Sequence, residues 1–236
     1  MDDWIDYYDS THTIYASKLH RELHFQLIAK DIIGYIAPPG AVVLDYACGE
    51  ALAAAKVAEC CGQLILAEPA PGVRGRLIAR FAPNTKIRVR SLEDVRKMAE
   101  KSVDLVVMNS VAQYMTAAEL DAAFAIIKRL LRPGGRLVVG DILRPEVGMP
   151  RDVMALLQFA TRHGFLRDAL IGLAATALSD YRQLRTKVGL QRYSEAGIVA
   201  KLAAAGFTAS RAHSNIGHNP WRMTFVARHA LSLPAG

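Results

Sequence analysis

Two carboxylates and a glycine turn carry the first chemical signal in this chain. The short apolar run Val42-Val43-Leu44 ends on Asp45, and Tyr46-Ala47-Cys48-Gly49-Glu50-Ala51 follows before a helical pattern begins. A Val/Leu run bounded in this way reads as a buried parallel strand turning into a helix. Open α/β sheets bind ligands at the carboxyl ends of their strands, where this turn sits. Gly49 tolerates positive φ and has no Cβ to hold a ligand off the backbone. Further on, Leu64-Ile65-Leu66-Ala67 is a second buried run, and it ends in Glu68. An acid at the tip of a second strand, about 20 residues after a glycine turn, is placed to accept hydrogen bonds from a ribose diol.

At these residues the chain resembles the class I S-adenosylmethionine (SAM)-dependent methyltransferases. Their first motif is an acid followed by three alternating glycines. Here it reads Asp45-x-Ala47-x-Gly49-x-Ala51, so the middle glycine alone is kept. Alanine at the outer positions is small enough for close approach but disfavours positive φ. The resemblance implies SAM as cofactor, with Glu68 and the adjoining Pro69 at the ribose. The turn around Ala47 and Gly49, together with Asp45, would meet the amino-acid end. Asn109 and Ser110, which end the run Val103-Asp104-Leu105-Val106-Val107-Met108, would lie beside the methionine moiety and the sulfonium. Ser91-Leu92-Glu93 stands at the adenine position, where the family's usual acid is replaced by Ser91 or shifted to Glu93. Tyr15 joins this set from an aromatic-rich N-terminal segment that resembles the lid such enzymes fold over the cofactor. The plainer readings are a helix N-cap for Asn109-Ser110 and core packing for the N-terminal rings.

Methyl transfer from a sulfonium is an in-line displacement, so the protein chiefly aligns the nucleophile and excludes water. A hydroxyl or acid acceptor also calls for a base. His12, His218 and Tyr114 are the candidate catalytic residues, with Gln113, Asp141 and Asn219 expected at the same edge of the sheet. The run Asn109-Ser110-Val111-Ala112-Gln113-Tyr114 resembles the version in methyltransferases of natural products and other small molecules. It lacks the Asn/Asp-Pro-Pro-aromatic run of enzymes that methylate base amino groups, so nucleic acid is the less favoured acceptor. The turn is not G-x-G-x-x-G, which disfavours a nicotinamide dehydrogenase, and no P-loop is present.

These residues need elements to hold them. Strands are expected at 41–46, 63–68, 86–90, 103–109 and 136–141, with helices at 17–36, 50–61, 72–81, 92–99 and 117–131. Such alternation predicts a parallel sheet covered on both faces. Leu131-Arg132-Pro133-Gly134-Gly135-Arg136-Leu137 resembles the methyltransferase turn before the fifth strand. A helix at 194–205 and strands at 207–213 and 222–228 resemble the closing antiparallel pair. The expected fold is therefore α/β: a seven-stranded, mostly parallel sheet, its last strand antiparallel, with helices on both faces. It forms a single methyltransferase domain over 1–236. Residues 1–36 would supply a lid and first helix, and 144–192 a helical insertion capping the ligand edge. If strand 207–213 runs parallel to the others, the loop carrying His218 and Asn219 reaches that edge too. The apolar Phe159, Phe165, Leu166, Leu170, Ile171 and Leu173 are expected to wall an acceptor pocket or to meet a second copy of the chain in a homodimer.

At 236 residues, 52% hydrophobic and 22% charged, the chain has the composition of a soluble globular protein. It shows no signal-peptide layout and no run of the ~20 apolar residues that span a bilayer, which suggests a cytoplasmic protein. Cys48, Cys60 and Cys61 read as reduced thiols, with no metal-ligand spacing around them. The net charge of +7 is spread over several helices. Residues 151–192, however, hold seven Arg/Lys against three Asp/Glu, a mixture suited to an anionic, partly apolar substrate or a membrane surface. Three readings follow: a small-molecule SAM methyltransferase acting on oxygen or nitrogen, a lipid or macromolecule methyltransferase, and a non-catalytic SAM-binding protein.

Overall fold

The computed structural model describes residues 9, 15–177 and 190–230. Seven strands form one sheet in the order β3-β2-β1-β4-β5-β7-β6: β1 (Val42–Tyr46), β2 (Gln63–Ala67), β3 (Ile87–Arg90), β4 (Val103–Asn109), β5 (Leu131–Ile142), β6 (Phe207–Arg211) and β7 (Met223–His229). The pairs β1–β2, β1–β4, β2–β3 and β4–β5 are parallel, and β7 is antiparallel to both β5 and β6. Two successive reversals leave β6 parallel to the main set. The β6–β7 loop therefore lies on the carboxyl edge of the sheet.

Strand alternation divides the core into two layers. Val43, Leu64, Leu66, Leu105, Val107 and Val138 face α1 (Lys18–Ile33), α2 (Ala54–Glu59) and α3 (Pro71–Phe81). Leu44, Ile65, Val106, Met108, Leu137 and Val139 face α4 (Leu92–Arg96), α5 (Ala117–Leu130) and α8 (Glu195–Ala204). The first layer matters for function. Asp45, Glu68 and Asn109 continue the odd or even rows of Val43, Leu66 and Val107, so the period of two sends all three side chains to one face of the edge.

Three boundaries differ from the sequence reading for local reasons. The helix expected from residue 50 begins at Ala54, because Gly49 and Ala51 both take positive φ and cannot start a right-handed helix. The helix after β3 is short, ending at Arg96. β5 starts at Leu131 rather than 136, because the Pro133-Gly134-Gly135 turn is absorbed as a register shift opposite Val103 and Leu105, with Gly134 at φ +80°.

The insertion after β5 holds α6 (Met149–His163) and α7 (Leu166–Ala177), joined by the left-handed Gly164. They pack on α1 rather than on the sheet: Phe159, Ala160, Phe165 and Ala169 form a separate apolar cluster with Leu23 and Leu27. Of the residues expected in this wall, Phe159 and Phe165 do turn inward, at 7% and 2% exposure, whereas Leu166, Leu170 and Ile171 lie on the outer surface at 37%, 53% and 59%. Residues 178–189 of the insertion, and Trp4, Tyr7, Tyr8 and His12 of the N-terminal segment, lie outside the described residues.

Candidate functional site

The turn after β1 is built on left-handed backbone. Ala47, Gly49 and Ala51 have φ of +57°, +59° and +41°. The alternating pattern that three glycines would adopt freely is thus kept with alanine at its ends, each at a steric cost. A Cβ built on Gly49 would meet nothing within 4 Å. The backbone there borders open space, as a close ligand approach requires.

Glu68 braces this turn. Its Oε2 accepts from Gly49 N–H at 2.8 Å, and its Oε1 accepts from Ala70 N–H at 2.8 Å, at the start of α3. Arg74 donates to the Glu68 and Pro69 carbonyls at 2.9 and 3.0 Å. Asp9 accepts from Val73 N–H at 3.0 Å, bringing a second carboxylate to the same helix start. Burial raises the Glu68 pKa above its ordinary value despite these donors. Asp45, partly accessible in the same recess, is pushed up to about 7 by burial and then by the Glu68 charge. Each Glu68 oxygen has taken one donor, which leaves lone pairs for others.

At the ends of β4 and β5 two further non-glycine residues take left-handed backbone, Ser110 at φ +60° and Asp141 at φ +57°. They are bonded to each other, Ser110 Oγ donating to Asp141 Oδ2 at 2.8 Å. Four of the five non-glycine positive-φ residues among those described therefore lie at the carboxyl edge of β1, β4 and β5. Strain of this kind concentrates where function holds it. Asn109 points toward Gly140, and its Oδ1 is buried with no hydrogen-bond partner.

Ser91 caps α4 in a reciprocal capping box with Asp94, at 3.0 Å (Asp94 N–H to Ser91 Oγ) and 3.1 Å (Ser91 N–H to Asp94 Oδ2). It stands beside the tip of β2, because Glu68 N–H donates to Arg90 C=O at 3.0 Å. Leu92 packs partly buried on the α4–α5–α8 side. Glu93 points to solvent and pairs with Lys97 at 2.6 Å. Ser91 thus adjoins the Glu68 backbone, whereas Leu92 packs on the other layer and Glu93 turns to solvent.

Loop 212–222 brings the second group of candidates. His218 stacks on Phe159 with ring centroids 4.8 Å apart and 21° between planes. Burial lowers its pKa, partly opposed by Asp141. Asn219 Nδ2 donates to Asp152 Oδ1 of α6 at 2.9 Å, and Arg222 reaches the same oxygen at 2.9 and 3.1 Å. Arg222 also lies 3.7 Å from Asp141. Gly217 N–H donates to Asp31 of α1 at 2.8 Å. The cap, the loop and the end of β5 are thereby fastened together around His218. Tyr114 ends the 3-10 turn Ala112–Tyr114 after β4 and feels the Arg222 charge. Gln113 is buried there with an unpartnered Oε1.

Four residues at this edge were not singled out from the sequence: His20, His24, Asp152 and Arg222. His20 and His24 lie one turn apart on α1, a spacing readable in sequence but outweighed there by the surrounding apolar residues. Tyr15 meets both rings, at 5.6 and 5.4 Å. Arg21, on the same helix, pairs with Glu50 and ties α1 to the glycine turn. Asp152 and Arg222 carry no local signal, because they meet only through the tertiary fold. Among the described residues no group of His, Cys, Asp and Glu is arranged to hold a metal ion.

Residues 44–139 match the family model described as a methyltransferase domain, and the fold is that of the class I SAM-dependent methyltransferases. Solved structures with this fold align over most of the chain. A chain of the Haloferax volcanii complex between the Trm112 methyltransferase activator and a methyltransferase matches at a TM-score of 0.63 and 13% identity, covering 98% of this chain and 100% of that one. The Burkholderia thailandensis 1,6-didemethyltoxoflavin-N1-methyltransferase, solved with 1,6-didemethyltoxoflavin and S-adenosylhomocysteine, matches at 0.56 and 16%, covering 89% and 80%. Human N-acetylserotonin methyltransferase, solved with SAM, matches at 0.56 and 14%, covering 92% and 58%. No curated protein matches the chain by sequence. At these identities the likeness defines the fold, and residue roles have to come from this chain's own geometry.

Proposed function

We propose that the protein binds SAM and transfers its methyl group to the oxygen or nitrogen of a small-molecule acceptor. The observation that carries this reading is the open space beside Gly49, flanked on one face of the sheet edge by the Asp45 and Glu68 carboxylates. The cofactor would supply an electrophilic sulfonium methyl. Glu68 accepts from ribose hydroxyls with the lone pairs its backbone donors leave free, and Pro69 borders that contact. Asp45 and the unpartnered Asn109 Oδ1 suit a cationic ammonium group. Ala47 and Gly49 allow the backbone to approach, Ser110 closes the end of β4, Ser91 and Leu92 flank the adenine side, and Tyr15 covers the site from the N-terminal segment. His218 is the base for a hydroxyl acceptor, since burial keeps its imidazole neutral and able to take a proton. Tyr114, at the end of the turn after β4, is the second candidate. His12 remains a proposal from the sequence.

Small-molecule acceptors are named in the descriptions of the Burkholderia and human relatives in fold, which supports this class. Titration calorimetry with S-adenosylhomocysteine tests the cofactor half. Production of S-adenosylhomocysteine from SAM across fractions of a metabolite extract tests turnover, and its absence with intact cofactor binding would favour a non-catalytic SAM-binding protein.

One observation favours a lipid acceptor as second reading. Met149, Met154, Leu166, Leu170 and Ile171 are exposed on the cap beside the exposed Arg151, Arg162 and Arg167, a combination that suits an anionic membrane surface. No helix among the described residues is long and apolar enough to cross a membrane. Sedimentation with vesicles containing anionic lipid separates the two readings.

A further inference from the structure

Rings from four segments meet beneath the cap. His20 of α1 stacks on Phe165 at 5.0 Å and 15°, and His218 of the β6–β7 loop stacks on Phe159 of α6 at 4.8 Å and 21°. Phe159 and Phe165 meet edge to face at 5.6 Å. His24 completes the group, and the three imidazole centroids stand 6.1 to 6.4 Å apart. Tyr15 and Phe25 close it on the α1 side. Leu23, Leu27, Leu156 and Leu157 form its apolar backing.

One polar atom in this cluster has no purpose in the fold. His20 Nδ1 accepts from Ala16 N–H at 3.1 Å, and Ser17 Oγ accepts from His20 N–H at 3.2 Å, so both bonds close the start of α1. A neutral imidazole that accepts through Nδ1 carries its proton on Nε2. His20 is only 5% exposed, and Nε2 has no partner. A buried donor left unmade destabilises the fold.

We propose that this ring cluster is the acceptor site, and that it takes an uncharged, flat aromatic or heteroaromatic molecule whose oxygen or ring nitrogen accepts a hydrogen bond from His20 Nε2–H. The proposal rests on the methyltransferase reading and names its substrate class. His218 is the ring that gives way. It lies on a loop, its ring nitrogens make no hydrogen bond among the described residues, and an aromatic acceptor can replace its stacking on Phe159. Displaced toward Asp141, His218 stays at the edge where Ser110 and Asp141 meet. Charge argues for a neutral ligand. Burial holds His20 and His24 uncharged, with pKa values near 4 and 3. Arg222, the guanidinium whose charge acts on His218, is taken by Asp152 and Asp141. An anion would therefore gain little from Arg222, and a cation would face the partly positive edges and N–H groups of the imidazoles.

The test is calorimetry on the full chain saturated with S-adenosylhomocysteine, titrated with quinolin-4-ol, phenylacetate and phenethylammonium, in the parent protein and in His20→Phe. The expected result is quinolin-4-ol binding at least tenfold tighter than either charged probe. His20→Phe should weaken it at least tenfold while leaving S-adenosylhomocysteine affinity unchanged. Equal binding of a charged probe, no binding of quinolin-4-ol, or unchanged binding in His20→Phe overturns the proposal. Should that variant misfold, the ¹⁵N shift of His20 Nε2 in the parent decides: it moves on addition of quinolin-4-ol if the bond forms, and a fixed shift refutes it. Loss of S-adenosylhomocysteine binding in the parent would instead bring down the methyltransferase reading itself.

Discussion

Gly49 N–H donates to Glu68 Oε2 at 2.8 Å, joining the turn after β1 to the tip of β2 across nineteen residues. The acid expected at a ribose is therefore also the brace that holds the ligand-facing turn in shape. Its two roles are separable by measurement.

Glu68→Ala removes both acceptors from Gly49 and Ala70. Leaving these N–H groups without charged partners should cost about 2 kcal/mol of folding stability, read by denaturant unfolding. Calorimetry should show S-adenosylhomocysteine affinity falling at least tenfold. A folded variant with full affinity would remove Glu68 from the cofactor site.

Ala47→Gly and Ala51→Gly should each stabilise the protein. Left-handed backbone costs alanine about 1–2 kcal/mol, and the extra freedom of glycine in the unfolded chain returns roughly 0.4–1 kcal/mol of that. A net gain of about 0.5–1 kcal/mol per site is expected from the observed φ values. Loss of stability on substitution would contradict the left-handed turn.

Gly49→Val should behave oppositely. The space beside Gly49 is open, so the protein folds with the strain of φ +59° as its main cost. The side chain then occupies the approach to the backbone, and S-adenosylhomocysteine binding should be lost. Normal binding would place the cofactor elsewhere.

The pH dependence has two opposed parts. His20 and His24 have pKa values lowered from 6.5 to about 4 and about 3, chiefly by burial. The unfolded chain binds those protons first, so their contribution is present above pH 6.5 and lost progressively as pH falls toward 3. Asp45, raised from 3.8 to about 7, acts in reverse: the folded state holds its proton longer, and stability from this group declines as pH rises from about 4 to 7. Asp45→Asn should gain stability relative to the parent across that interval. His20→Phe should flatten the acid limb. Parallel stability curves for parent and variants would refute the assignment.

Asp152→Ala unfastens the cap by removing the acceptor of Arg222 and Asn219. Arg222 is then left with Asp141 at 3.7 Å, and breaking a largely buried pair from one side should cost about 3 kcal/mol. S-adenosylhomocysteine affinity should hold, because the Gly49–Glu68 turn lies at β1 and β2. A drop in that affinity equal to the drop in stability would show that the cap and the cofactor turn unfold together.

What the sequence determined by itself was everything set by local periodicity and turn chemistry. The apolar runs bounded by turn residues located all seven strands and put Asp45, Glu68 and Asn109 at strand tips, whereas the register between strands decides that their side chains share one face. The place of His218 stood in the sequence only as a condition, that strand 207–213 run parallel to the others, and the pairing of β7 with both β5 and β6 meets it. Tertiary structure alone decided the rest. Positive φ at Ala47 and Ala51 runs against alanine's own preference and is imposed by the strands on either side. Phe159 and Phe165 face inward while Leu170 and Ile171 do not, because α1 covers one side of the cap, and apolar composition does not say which side is covered. The meeting of His20, His218, Arg222 and Asp152 joins an N-terminal helix, an insertion and a C-terminal loop. Contacts between such distant segments depend on packing, which no spacing in the chain records.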